Sequence, residues 1–206
     1  SNMELGTSGE LKKRLGTASY EDENPISGNP TVTFCGEFTI PPSTIEVVMI
    51  AGTRAYRHSG SAWADITDGT ITAGDNNTFV GAADEGLGVL LVTNGVNPPM
   101  SKTGTGSFVA ADVDSQFTAA GTVAIFNNRS WWGSTTTGGT VSYDRLWYSD
   151  PGAIGTIGDN SYKDFGHPIT ALVPMFESLA VHTENGIHIV TPTGNAGAPF
   201  QVDQAT

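Results

Sequence analysis

Short apolar runs separated by turns fill this chain from end to end, with no convincing helical period between them. The clearest stop is Ser149-Asp150-Pro151-Gly152, which closes the run Asp144-Arg145-Leu146-Trp147-Tyr148. Proline cannot donate to a sheet ladder and glycine accepts positive φ, so a strand over 145–148 cannot continue through Pro151. Runs over 31–38, 45–51, 54–58, 62–67, 78–82, 88–93, 122–126, 130–133, 169–173, 178–182 and 187–190 read as strands in the same way. Gly52-Thr53, Asn94-Gly95, Pro98-Pro99, Asn127-Asn128 and Asn185-Gly186 punctuate them. With 26 Gly and 11 Pro in 206 residues and no collagen-like period, turns are frequent enough for an all-β fold of short strands.

Four strongly apolar segments, 46–50, 88–92, 122–126 and 178–182, begin 42, 34 and 56 residues apart. Propeller blades recur at roughly 40–50 residues. The expected fold is therefore a β-propeller or propeller-like arc of about four to five antiparallel blades, with a β-sandwich as the alternative. The run 45–51 is nearly apolar on both faces, as a strand buried between layers would be. Residues 1–2, ahead of Met3, read as a tag remnant. Residues 3–30 read as an N-terminal extension with one strand to complete the last blade, 31–192 as the propeller-like domain, and 193–206 as a loose tail.

Nine Lys+Arg against 21 Asp+Glu leave a net charge of −12. Affinity for nucleic acid comes largely from cations that neutralise phosphates, so tight DNA or RNA binding is not expected. The same repulsion suits a conduit along which DNA slides without sticking, or serves solubility alone. Lys12-Lys13-Arg14 holds three of the nine cations and reads as a solvated terminal strand or a contact for an acidic neighbour. Cys35 is alone and reads as a small buried hydrophobe. No apolar run approaches a membrane span.

Four histidines, His58, His167, His182 and His188, raise the question of a metal. A two-residue Asn185-Gly186 turn would pair Glu184 with Ile187, Thr183 with His188 and His182 with Ile189. The imidazoles of His182 and His188 would then point to opposite faces, and no metal is assigned. The acidic stretch 65–75 lacks the alternating ligands and closing Glu of a calcium loop, and its Asp-Gly pairs are turn residues first. Asp65, Asp112, Asp114, Asp144, Asp150 and Asp164 could supply paired carboxylates for glycoside hydrolysis, but the separation that chemistry needs is invisible in sequence. No nucleophile elbow, zinc-protease helix or phosphate-binding loop occurs. No catalytic residue and no cofactor is assigned. Trp63, Trp131, Trp132 and Trp147 could pack between blades or contact a ligand. Adjacent strand residues face opposite ways, so one of Trp131 and Trp132 is expected to be exposed, making this pair the candidate partner or ligand contact.

Several of these segments, taken in order, carry a resemblance: Glu10-Leu11-Lys12-Lys13-Arg14-Leu15-Gly16, Ala62-Trp63-Ala64-Asp65-Ile66-Thr67, the stretch 91–99 around Asn94-Gly95, Arg145 through Gly152, Pro168-Ile169-Thr170-Ala171-Leu172-Val173, Leu179-Ala180-Val181-His182 and Gly186-Ile187-His188-Ile189-Val190. They resemble a group of phage virion proteins similar to the propeller-bearing hub, nozzle and DNA-stabilisation proteins at the tails of short-tailed phages and prophages. The likeness spans residues 10–192 as spaced motifs, and it makes Trp63, Asn94, Gly95, Arg145, Trp147, Asp150, Pro151 and Gly152 structural-motif positions. It implies a non-enzymatic structural protein, a tail or head-to-tail component made in the host cytoplasm and carried in the virion. Its implied partners are portal or tail subunits and further copies in a ring that extends the portal channel and retains packaged DNA. The chain departs from that group in being much shorter and in the Trp131-Trp132 stretch with its Gly-Ser-Thr-rich sequel through Gly139. The alternatives are a carbohydrate- or host-surface-binding propeller and a glycoside hydrolase.

Overall fold

The computed structural model describes residues 30–58, 63–68, 71, 79–84, 86–113, 115–154, 156–195 and 199–205, with the backbone alone of two short N-terminal strands. Those two, β1 (Met3–Leu5) and β2 (Leu11–Lys13), pair with each other. The remaining described strands form four antiparallel four-stranded sheets, each a meander in chain order. The first holds β3 (Val32–Ile40), β4 (Thr44–Ala51), β5 (Arg54–His58) and β6 (Trp63–Asp65). The second holds β7 (Val80–Asp84), β8 (Val89–Thr93), β9 (Met100–Thr103) and β10 (Val109–Ala110). The third holds β11 (Ala119–Phe126), β12 (Arg129–Thr137), β13 (Thr140–Tyr148) and β14 (Tyr162–Asp164). The fourth holds β15 (Ile169–Pro174), β16 (Leu179–Thr183), β17 (Gly186–Pro192) and β18 (Phe200–Gln204). The protein is all-β, with no helix among the described residues.

The sheets stack in chain order. β3 lies against β7, β7 against β11, and β11 against β15, while no comparable contact joins the fourth sheet to the first among the described residues. Each seam has its own core. Phe38, Ile40, Val48 and Ile50 of the first sheet meet Leu90, Val92 and Met100 of the second. On the other face of β8, Leu91 meets Val123, Trp132 and Trp147 of the third sheet. Ala124, Phe126, Trp131 and Leu146 then meet Leu172, Leu179, Val181, Val190 and Phe200 of the fourth. Strand alternation is the cause: in the two middle sheets both parities along a strand must be apolar, because both faces are covered.

Backbone approaches fix how the seams lie. A Cβ on Gly133 would come within 2.9 Å of Ile169 Cγ2 and 3.0 Å of Thr122 Cγ2, so only glycine lets β15 lie this close to β12. Immediately after it the β12–β13 register shifts at Ser134, whose φ is 53° and whose hydroxyl donates to Ile169 O at 2.8 Å.

The structure revises several expectations. The C-terminal segment is not a loose tail throughout: Phe200–Gln204 is the outer strand of the fourth sheet, and it takes the place expected for an N-terminal strand. The segment 122–126 belongs to the first strand of its sheet, whereas the other three apolar segments fall in second strands, so the four are not equivalent positions; the first strands open at Val32, Val80, Ala119 and Ile169. In the last hairpin Thr183 pairs with Gly186 and His182 with Ile187, two residues off the expected partners, so Glu184 and Asn185 form the turn and the faces are unchanged. Thr183 helps to set this by donating its hydroxyl to Gly186 O at 3.0 Å. Cys35 is exposed: it pairs with Met49 on the parity of β3 opposite to Phe34 and Phe38, turned away from the second sheet.

Candidate functional site

Trp131 and Trp132 do face opposite ways, but neither reaches solvent: each is 0 % exposed. Trp131 enters the seam with the fourth sheet, with ring centroids 4.6 Å from Phe200 and 5.3 Å from Tyr148. Trp132 enters the seam with the second sheet, 5.7 Å from Phe117. Both indoles are satisfied internally, Trp131 Nε1 donating to Phe126 O at 3.0 Å and Trp132 Nε1 to Ser130 Oγ at 2.9 Å. The pair is therefore not a ligand or partner surface, because its sheet is sandwiched on both sides. Trp147 is buried in the same seam as Trp132, and Trp63 is half-buried with its ring edge-on to His58 at 5.2 Å.

The motif positions prove to be fasteners between strands. Asn94 Oδ1 accepts from the N–H groups of Val96 and Asn97 at 3.1 and 2.9 Å, and Gly95, at φ 81°, donates its N–H to Ala120 O on β11 at 2.7 Å. This turn pins the end of the second sheet to the third. The Asp150-Pro151-Gly152 turn ends β13 at Tyr148 and folds back: Gly152 N donates to Asn128 O at 2.8 Å. Ser149, fully buried, donates its N–H to Ser130 O and accepts from Ser130 N at its hydroxyl, both at 3.0 Å. Arg145 grips Asp164 twice, at 2.8 and 3.2 Å, and lies 3.8 Å over the Tyr162 ring. The hydrogen bond that Arg145 donates to Asp164 raises the Arg145 pKa further, with partial burial opposing it.

Charge is also buried between the first two sheets. Lys102 on β9 is 0 % exposed, with Nζ 2.8 Å from Glu46 Oε2 on β4 and 4.8 Å over the Phe38 ring. Its ammonium hydrogen-bonds Gly104 O, and its contact with Glu46 Oε2 is an ion pair without hydrogen-bond geometry. Arg57 reaches Glu46 Oε1 from β5 at 3.4 Å and donates to Thr105 O at 3.0 Å.

The other candidates remain apart. His188 pairs with Val181 and His182 with Ile187, so their imidazoles occupy opposite faces; His188 meets Phe165 edge-on at 5.0 Å and His167 meets Asn185 at 3.2 Å. Among the described residues no three His, Cys, Asp or Glu side chains converge as metal ligands would. Most of the acidic stretch 65–75, and Asp114, lie outside the described residues, as do Arg14, the side chains of Lys12 and Lys13, and residues 1–2. Asp65 is held by Arg54 and by Thr67 N at 2.9 Å, and Asp164 is held by Arg145. Partial burial pushes the Asp65 pKa up, but the hydrogen bonds from Thr67 and Arg54 outweigh it and leave it below the ordinary value.

Among the described residues, one concave feature that the sequence did not disclose is a groove at one end of the third and fourth sheets. It consists of two hollows of about 410 and 420 Å³ that share Asn127 and Pro192. Arg129, Asn195 and Phe200 line the first, and Phe126, Glu177 and Phe176 line the second. Phe176, in the β15–β16 turn, is 97 % exposed. The groove exists because the tight β11–β12 turn, with Asn127 and Asn128 at φ 51° and 57°, ends beside the last residues of β17 and the first of β18. Arg129 was visible in the sequence only as one cation among nine; its setting is a property of the stacked sheets. No family model and no curated protein matches this chain.

Proposed function

We propose that this chain is a non-enzymatic structural protein of a phage or prophage virion, a tail or head-to-tail component that works by assembly, its four sheets serving as consecutive blades of a propeller-like arc. The observation that carries this reading is the serial stack itself. Three seams bury the inner faces, while the outer faces of the first and last sheets have no covering sheet among the described residues. Those faces are partly apolar: Ile45 and Cys35 are exposed on the first, Val173 and Ile187 on the fourth. Apolar sheet faces left open are association surfaces, and neighbouring virion proteins, portal or tail subunits or further copies in a ring, are the partners that fit. The net charge of −12 suits a surface past which DNA moves without adhering.

The motif residues fit the same reading, since Asn94, Gly95, Arg145, Asp150 and Gly152 all make hydrogen bonds that tie strands and turns together. Composition analysis of the source virion tests it: the protein should be present at a fixed copy number, and its absence from purified particles would overturn the reading. The rival of a carbohydrate- or host-surface-binding module loses Trp131 and Trp132 as contacts, and would have to use the groove instead.

A further inference from the structure

Arg129 is the one described arginine without a carboxylate within ion-pair distance among the described residues. Arg54 holds Asp65, Arg57 holds Glu46 and Arg145 holds Asp164. Arg129 instead lies 5.3 Å over Phe200 and 5.7 Å over Tyr148, donates one N–H to Ser149 O, and lines the groove. In a protein of net charge −12 an unpaired guanidinium in an aromatic, half-enclosed setting is an unfilled electrostatic position. A guanidinium has five N–H donors in a planar fork, so the bond to Ser149 leaves donors for a carboxylate.

The rest of the groove narrows the ligand. Pro151, Pro192 and Pro199 line the Arg129 hollow and have no N–H to offer, so an extended peptide finds little main-chain pairing there. Asn127 and Asn195 bring amides that suit hydroxyl groups, and Glu177 brings an acceptor to the second hollow. The exposed ring of Phe176 offers a flat apolar platform of the kind that stacks on the C–H face of a pyranose. We infer that this groove binds an acidic saccharide, a uronate or sialate residue whose carboxylate pairs with Arg129, while the adjoining sugar lies along Asn127 toward Phe176. The site is independent of the assembly reading: a chain that never assembles could bind the sugar, and an assembling chain could leave the groove empty.

The test is an NMR titration of the isotopically labelled full chain with methyl α-sialoside, methyl β-glucuronide, methyl β-glucoside, acetate and N-acetyl-glutamate amide. At least one acidic sugar should shift the side-chain amides of Asn127 and Asn195 and the Arg129 Nε signal, with the glucoside, acetate and glutamate derivative roughly tenfold or more weaker. Equal binding of the glucoside would overturn carboxylate recognition. Equal binding of acetate or the glutamate derivative would overturn sugar recognition, and silence of those signals with both acidic sugars would overturn the site. Arg129→Gln should weaken the acidic sugar by about tenfold or more. Because Arg129 also fastens Ser149, Phe176→Ala is the companion variant: it should weaken the sugar several-fold and leave the unfolding curve in place. Unchanged affinity in the variants that fold would contradict the assignment.

Discussion

The seam between the first and second sheets and the seam between the third and fourth bury similar sheet faces with different chemistry. The first is mainly aliphatic, built on Val48, Ile50, Leu90 and Val92, and carries the buried Glu46–Lys102 pair across it. The second is aromatic, with Trp131, Phe126, Tyr148 and Phe200 in mutual contact, and its polar atoms are satisfied by neutral hydrogen bonds such as Trp131 Nε1 to Phe126 O. Aliphatic faces pack acceptably in more than one register, whereas a buried ion pair forms in only one. The Glu46–Lys102 contact therefore specifies how the first two sheets meet more than it adds stability. At the aromatic seam, large rings of fixed shape do both jobs.

Breaking the aromatic seam should cost most. Trp131→Ala should lower stability by about 3–5 kcal/mol in urea unfolding, and a loss under about 1 kcal/mol would show that the seam relaxes around the missing ring. Lys102→Met strands the Glu46 carboxylate with Arg57 alone and should fall toward the lower end of about 3–5 kcal/mol. The double replacement of Glu46→Leu with Lys102→Met should regain most of that loss; if it does not, the ion pair is a true source of stability rather than of register. A finer contrast lies within the indoles. Trp131→Phe leaves Phe126 O without its donor and should cost about 1–3 kcal/mol more than Trp147→Phe, because Trp147 Nε1 has no acceptor among the described residues. Equal losses in the two variants would mean that only ring volume matters.

The smallest effect should come from the exposed Arg54–Asp65 pair at the edge of the first sheet. The Asp65 pKa is lowered on folding, so the unfolded chain binds the proton more readily. The stabilisation is complete above the ordinary carboxylate value of about 3.9 and is lost as pH falls through the lower folded value. Asp65→Asn should flatten that part of an acid unfolding profile and leave neutral-pH stability nearly unchanged. A large loss at neutral pH would contradict a solvent-screened role.

The first and second strands of each sheet were legible and most of the last ones were not, for a physical reason. The second strands β4, β8 and β16 are shielded on most sides, so β4 and β8 are dominated by Val, Ile, Leu and Met and β16 opens with Leu179, Ala180 and Val181. The missed strands, Met100–Thr103, Val109–Ala110, Tyr162–Asp164 and Phe200–Gln204, are short, each has exposed residues, polar in all but Val109–Ala110, and all but the first lie at sheet edges. The Thr-rich arms of the β12–β13 hairpin went unread beyond Gly133 for a similar reason, since their alternation is polar on both sides. Alternation correctly set Trp131 and Trp132 on opposite faces. Whether a face is covered depends on where its sheet falls in the stack, and a sheet in the middle has no open face. In the last hairpin the turn sits one residue earlier than Asn-Gly implies and the pairing shifts by two, because Gly186 at φ 144° opens the return strand. Arg129 and the groove had no local signature at all, since Asn127, Pro151, Pro192 and Phe200 come together only when two sheets pack.

The claim on which the proposed function turns is that the outer faces of the first and fourth sheets drive assembly. Light scattering on a size-exclusion column, with particle images of the peak, measures it directly. The account predicts one discrete, closed assembly whose mass is a fixed multiple of the 21.5 kDa chain. A single species at the mass of one chain, unchanged across the concentration range, would contradict it.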